Sequence, residues 1–318
     1  MEFTEYEPTL FLKNGHINTI YASLCRPAHV LSFKREKLYT PDDDFLDLDT
    51  LFKNNRRLAI LCHGLEGTSG SKYILATSSI LSKNNWDIVA VNYRGCSGNI
   101  NNQVRMYHSG ATDDLELVVN LFKDAYREIH LVGFSLGGNL VLKYCGEADR
   151  SQTIRSVVAI STPTNLKAGS LQLNKPSNLL YTKKFLATLK EKIRLKHAQY
   201  PEIYKVEKLN EIKTVYEFDD YYTAPIHGFK NADDYYQKCS SAQFIESIKN
   251  PGLIINALDD PFLPNAFYPF EEVRNNKLMS ILSPKNGGHV GFVKFGKKYY
   301  WSEEQIKMFL EKNSEMPM

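Results

Sequence analysis

A serine set between glycines, a pair of adjacent aspartates and a histidine in a glycine-rich loop supply the residue types needed for nucleophilic acyl transfer. The serine is Ser135, in Gly133-Phe134-Ser135-Leu136-Gly137-Gly138. The aspartates are Asp259 and Asp260, in Leu258-Asp259-Asp260-Pro261-Phe262, and the histidine is His289, in Gly287-Gly288-His289-Val290-Gly291-Phe292. An unassisted serine hydroxyl is a poor nucleophile near neutral pH and needs a base to take its proton. A histidine can take that proton and return it to the leaving group, and a carboxylate orients and stabilises the imidazolium. Asp260 is preferred as the acid: it stands directly before Pro261, further into its loop, whereas Asp259 can cap or pair locally.

These residues need elements to carry them. Ile129–Val132 is a short apolar run of the kind that forms a buried strand, and Leu140, Val141, Leu142 and Tyr144 continue beyond the serine at helical spacing. Strand, tight turn, serine and helix are the setting that the G-x-S-x-G elbow requires. The helix start would offer unpaired N–H groups to a developing oxyanion. Leu58–Cys62 reads as a central parallel strand and leads into His63-Gly64-Leu65-Glu66-Gly67-Thr68-Ser69-Gly70. That loop is expected to give the second oxyanion donor, so the assigned pair is the backbone N–H of Leu65 and of Leu136. The loop has no G-K-[ST], so it is not a P-loop. Trp86–Asn92, Val157–Ser161, Leu253–Ala257 and Leu278–Leu282 are further sheet strands, and Ser71–Lys83 and Ala111–Tyr126 are helices. Asp113 and Asp114 suit the first turn of the latter helix as structural residues.

At the start, residues 1–30 read as irregular, with Arg35–Tyr39 and Phe45–Leu51 as the first two strands. In the second, Leu46 and Leu48 alternate with Asp47 and Asp49, the period of a half-solvated strand. At the end, Ser302–Leu310 is a helix, with Ser302 and Gln305 as its expected capping box. Each of Ser135, the aspartates and His289 follows a strand, so all gather at the carboxyl edge of one sheet. Their order along the chain is that of α/β hydrolases. The fold class expected is therefore an α/β-hydrolase fold: a mostly parallel central sheet with helices on both faces.

The alternation of strand and helix breaks over residues 163–250. About 88 residues is too long for a structureless loop. The stretch reads as a helical lid insertion, through Leu179–Lys196 and Asp233–Ile248. Its tyrosines Tyr181, Tyr200, Tyr204, Tyr216, Tyr221, Tyr222, Tyr235 and Tyr236 are placed mainly in packing, with an acyl pocket as their other use. The chain is expected to be one domain over 1–318, with an N-terminal extension over 1–33.

The chain of 318 residues, 43% hydrophobic and 24% charged, has the composition of a globular protein. A net charge of +3 without an arginine-rich block gives no case for nucleic acid. Five cysteines, odd in number and without C-x-x-C spacing, argue against a disulfide framework or zinc site and for a reducing, cytoplasmic setting. The start MEFTEYEPTL lacks the apolar segment of a signal peptide, and no run is long enough for a transmembrane helix. No cofactor motif is present, and a lone histidine in GGHVGF is not a metal site.

Seven blocks in order, NGHINT (14–19), HGLEGTS (63–69), NYRGCSG (92–98), YHSG (107–110), GFSLGGN (133–139), ALDDPF (257–262) and GGHVGF (287–292), resemble the YheT-like branch of the α/β hydrolases, over about residues 8–310. The branch is similar to eukaryotic abhydrolase-domain lipases. The resemblance implies a hydrolase of carboxylesterase type, with Ser135, Asp260 and His289 as its charge-relay residues. It also places His16 and His108 in family blocks without giving them a role. The expected substrate is a small-molecule ester or lipid. The other readings are a phospholipase or acyltransferase at a membrane surface, touching it through the basic and aromatic Tyr181–Tyr204 stretch, and a non-catalytic ligand-binding protein on the same scaffold. A dehalogenase is not expected, because its nucleophile would be an aspartate at Ser135.

Overall fold

The computed structural model describes residues 4–314, so the ends of the expected 1–318 domain lie outside the described residues. Eight strands form one sheet: β1 (Lys34–Tyr39), β2 (Phe45–Leu51), β3 (Arg57–Cys62), β4 (Asp87–Asn92), β5 (Glu128–Phe134), β6 (Ile154–Ile160), β7 (Gly252–Ile255) and β8 (Met279–Leu282). Their order is β1-β2-β4-β3-β5-β6-β7-β8. β2 runs antiparallel to both β1 and β4, and all other pairs are parallel.

The helices are α1 (Gly15–Cys25), α2 (Lys72–Ser82), α3 (Thr112–Phe122), α4 (Leu136–Glu147), α5 (Leu166–Leu173), α6 (Leu179–Gln199), α7 (Val215–Phe218), α8 (Ala224–Ile226), α9 (Ala232–Cys239), α10 (Phe270–Asn275) and α11 (Trp301–Lys312). A π-helical turn, Asp219–Thr223, links α7 to α8. Among the described residues no helix is long and apolar enough to cross a membrane.

The central strands are apolar on both faces because both faces are covered. Along β3, Leu58, Ile60 and Cys62 join the core under α3 and α4, while Ala59 and Leu61 join the core under α2 and α11. The segment between β6 and β7 has a core of its own, which includes Leu186, Leu189, Ile193, Tyr204 and Phe218. This is why so long a segment without strands is ordered.

Three expectations are corrected. Residues 14–25 are not irregular: Asn14 caps α1 by accepting from the His16 and Ile17 N–H groups. The helix carries few charges and a weak apolar stripe, so periodicity does not reveal it. β2 is not half-solvated, because Asp47 and Asp49 are buried. Each has polar partners, with Lys37 on Asp47 and Arg35 and Asn92 on Asp49. Alternation reports solvent exposure only when the polar face lacks such partners. The last helix starts without the Ser302–Gln305 box: Tyr300 is its N-cap residue, the Tyr300 N–H donates to the Glu303 carboxylate at 2.6 Å, and Ser302 is buried inside the helix.

Paired charges also tie the loops to the sheet. Arg94, in the loop after β4, reaches Asp44 at 2.8 Å, Asp42 at 2.9 Å and Asp114 at 2.7 Å. Burial works against its charge, but the three aspartates outweigh burial and raise its pKa. The turn 40–44, the β4 loop and the start of α3 are thereby fastened together at one buried point. Such a network leaves costly unpaired carboxylates when its cation is removed.

Candidate active site

Ser135 lies where β5 meets α4, with φ 53° and ψ −120°. A non-glycine residue in that region is strained, and the surrounding structure must hold it there. Two contacts do so. The Ser135 N–H donates to the Ile160 carbonyl at 2.8 Å, and the Ser135 carbonyl accepts from the Gly138 N–H at 2.9 Å. The glycines are demanded by close approach. A Cβ on Gly133 would stand 2.1 Å from the Gly137 carbonyl oxygen, and one on Gly137 would stand 2.4 Å from that of Cys62. Gly137→Ala is therefore expected to cost about 3 kcal/mol, read as a lower urea midpoint. Gly70→Ala, whose Cβ would meet only the end of the Thr68 side chain at 3.3 Å, should change that midpoint little.

His289 reaches Ser135 from the loop after β8. Its Nε2 is 3.0 Å from Ser135 Oγ, and its Nδ1 is 2.9 Å from Asp260 Oδ2 and 3.1 Å from Oδ1. A histidine between a carboxylate and a hydroxyl donates from Nδ1 and accepts at Nε2. Asp260 is held in turn, since its Oδ1 accepts from the Phe262 N–H at 2.8 Å. Phe262 also packs its ring against the imidazole, centroid to centroid at 4.3 Å. Asp259 faces elsewhere. It accepts from the Gly288 N–H at 2.9 Å and from Asn286 at 3.3 Å, and so shapes the histidine loop. Burial raises its carboxyl above the ordinary value.

The two N–H groups assigned to an oxyanion make no hydrogen bond among the described residues, and both Leu65 and Leu136 line the cavity beside Ser135. The loop carrying Leu65 is braced from three sides. His63 is fully buried, and its Nδ1 lies 2.7 Å from the Gly64 carbonyl. Burial lowers its pKa to about 3, so the ring is neutral and structural. Tyr107 donates to the Glu66 carboxylate at 2.6 Å and accepts from the Glu66 N–H at 3.0 Å. From α6, Lys192 donates to the same carboxylate at 2.7 Å. Glu66 itself has φ 55°.

Several supports were hidden in the sequence. Thr19, on α1, accepts the His289 N–H at 2.8 Å. Ser161 accepts the Val290 N–H at 2.8 Å. Thr19 lies in the NGHINT block, which is the only sequence signal for it. Lys192 and Ser161 carry none.

His16 is not brought to Ser135. Its ring stacks on Tyr181 at 5.9 Å and its Nδ1 lies 3.3 Å from that hydroxyl. His108 does line the cavity. Its Nδ1 accepts from the Gly110 N–H at 3.1 Å, and burial holds its pKa well below the ordinary value, so the proton sits on Nε2. Of the eight tyrosines named between 163 and 250, Tyr235 and Tyr236 line the cavity. Tyr204 and Tyr222 are packed in the segment's own core.

The cavity measures about 110 Å³ and is walled mainly by apolar side chains, many from the segment between β6 and β7. It opens beside Ser135 and His289 at the carboxyl edge of the sheet, where open α/β sheets bind ligands. A family model for the alpha/beta hydrolase fold matches residues 59–293. The chain is an α/β hydrolase. YheT of Escherichia coli (strain K12), assigned as an esterase, is 32% identical to this hydrolase over 91% of its chain and 87% of the relative. The monoacylglycerol lipase of Saccharomyces cerevisiae is 30% identical, covering 94% and 68% of the two chains. Phospholipase ABHD3 of Mus musculus is 28% identical, covering 91% and 73%. In the solved structure of the Pyrococcus furiosus esterase Pf2001 the same fold recurs, with a TM-score of 0.59 at 16% identity over 90% of this hydrolase and 96% of that chain.

Proposed function

We propose that this hydrolase cleaves carboxylic esters through an acyl-enzyme on Ser135. The observation that carries the reading is the continuous hydrogen-bonded line Ser135–His289–Asp260, opening into an apolar cavity. In the proposed mechanism His289 Nε2 takes the Oγ proton as the serine attacks the ester carbonyl. The Leu65 and Leu136 N–H groups receive the charge that develops on the carbonyl oxygen. His289 then protonates the departing alcohol, and Asp260 holds the imidazolium through Nδ1. Water, activated by the same histidine, releases the acid.

The names of the relatives, a monoacylglycerol lipase and a phospholipase, support an ester or lipid substrate with an acyl chain. The segment between β6 and β7 acts in this reading as the lid, since it supplies much of the apolar wall that excludes water and receives the chain. The test is a series of p-nitrophenyl esters from acetate to palmitate, assayed with and without a fluorophosphonate and with a chelator. Turnover that the fluorophosphonate stops and the chelator leaves intact is expected. Turnover insensitive to the fluorophosphonate contradicts the reading.

A further inference from the structure

The lining of the cavity is apolar through Leu166, Leu173, Phe185, Leu189, Phe218 and Leu263, yet a carboxylate also belongs to it. That group is Asp219, which opens the π-helical turn Asp219–Thr223. Such turns are rare and recur at functional sites. Its Oδ1 accepts from the Thr223 hydroxyl at 2.6 Å, and its Oδ2 accepts from the Tyr236 hydroxyl at 2.6 Å. Ser170 Oγ lies 3.1 Å from the same tyrosine oxygen. An ionised carboxyl offers about four acceptor sites, and these bonds use only two of them.

Among the described residues Asp219 forms no ion pair, and only burial and its two hydroxyl partners act on its ionisation. Burial pushes its carboxyl up to about 6, against the hydrogen bonds from Thr223 and Tyr236. The charge is therefore largely present at neutral pH. An ionised group in an apolar cavity is costly unless a donor or a cation meets it. The other charged group of that wall, Lys192, is committed to Glu66.

We infer that Asp219, with Tyr236 and Ser170 beside it, is a specificity subsite for a hydrogen-bond donor on the substrate, either a hydroxyl or a protonated amine. The inference rests on the reading of this cavity as the ester-binding pocket. It makes Asp219 the group that selects a polar ester over an alkyl ester of the same shape. A site built to bond a donor rejects the analogue that lacks it, because its own buried group is then left unpaired.

The test uses matched pairs that differ only in the donor: 1-octanoylglycerol against propyl octanoate, and propyl 8-aminooctanoate against propyl octanoate. Binding is measured by calorimetry on the Ser135→Ala protein, so that the result does not depend on turnover. At least one donor-bearing ester should bind roughly 10-fold more tightly than its alkyl partner, and Asp219→Leu in the same background should remove the preference. Asp219→Asn separates the two donors, since a neutral amide keeps an acceptor for a hydroxyl and loses the charge that holds an amine. Equal affinity within both pairs overturns the subsite, even if the Asp219 variants fail to fold. A preference that survives Asp219→Leu also overturns it. Fluorophosphonate labelling of the wild-type chain reports on the hydrolase reading by itself. Intact labelling together with equal affinities therefore rejects the subsite alone.

Discussion

Ser135→Ala should lower kcat/KM for p-nitrophenyl esters by roughly 10⁴-fold or more. The reason is chemical rather than structural. The substitution deletes one oxygen, and that oxygen is the atom 3.0 Å from His289 Nε2. The hydrogen bonds that hold the elbow come from the backbone of Ser135, so they survive in alanine. Alanine bears the same positive φ at similar strain. The variant should therefore unfold at nearly the wild-type urea concentration while losing turnover. What remains would come from the Leu65 and Leu136 donors and from binding in the cavity. Activity within ten-fold of wild type would mean that the nucleophile lies elsewhere.

Asp260→Asn is expected to have the next largest effect, a loss of roughly 10³- to 10⁴-fold in kcat/KM. Both carboxylate oxygens of Asp260 lie within 3.1 Å of His289 Nδ1. An amide can turn its NH₂ toward that nitrogen, which then accepts, and the proton moves to Nε2. The ring would face Ser135 with the wrong tautomer. Asp259→Asn is the matched control. Asp259 bonds Gly288 and Asn286 and makes no bond to the imidazole ring. Its amide variant keeps an acceptor for the Gly288 N–H, so a loss of under ~10-fold is expected from a group that acts through another. Equal losses in the two variants would show that the acid was placed wrongly. Kinetics of both proteins on one ester decide the matter.

Much of this site could be read from the chain before any coordinates. The elbow was legible because its geometry is local: a strand, two glycines that cannot carry a Cβ, and a serine. The choice of Asp260 over its neighbour came from one residue of loop position, and the geometry places Asp260, not Asp259, against His289. The central strands were legible because burial on both faces leaves unbroken apolar runs.

What stayed hidden depends on contacts between distant residues. α1 escaped because its N-cap and its contact with the histidine loop hold it, rather than a strong apolar stripe. Asp47 and Asp49 looked solvated because the residues that pair with them, Arg35, Lys37 and Asn92, come from neighbouring strands. The cavity wall was the least legible part. Asp219 sits among Asp219-Asp220-Tyr221-Tyr222, and only the path of the chain through the π-turn sends the first of them to the cavity and leaves the second exposed.

The most direct measurement of the central claim is peptide mapping by mass spectrometry after reaction of the native protein with a fluorophosphonate. The account predicts one adduct, on Ser135, that does not form in Ser135→Ala and forms far more slowly in His289→Ala. An adduct on another residue, or none on a protein that hydrolyses esters, would contradict it.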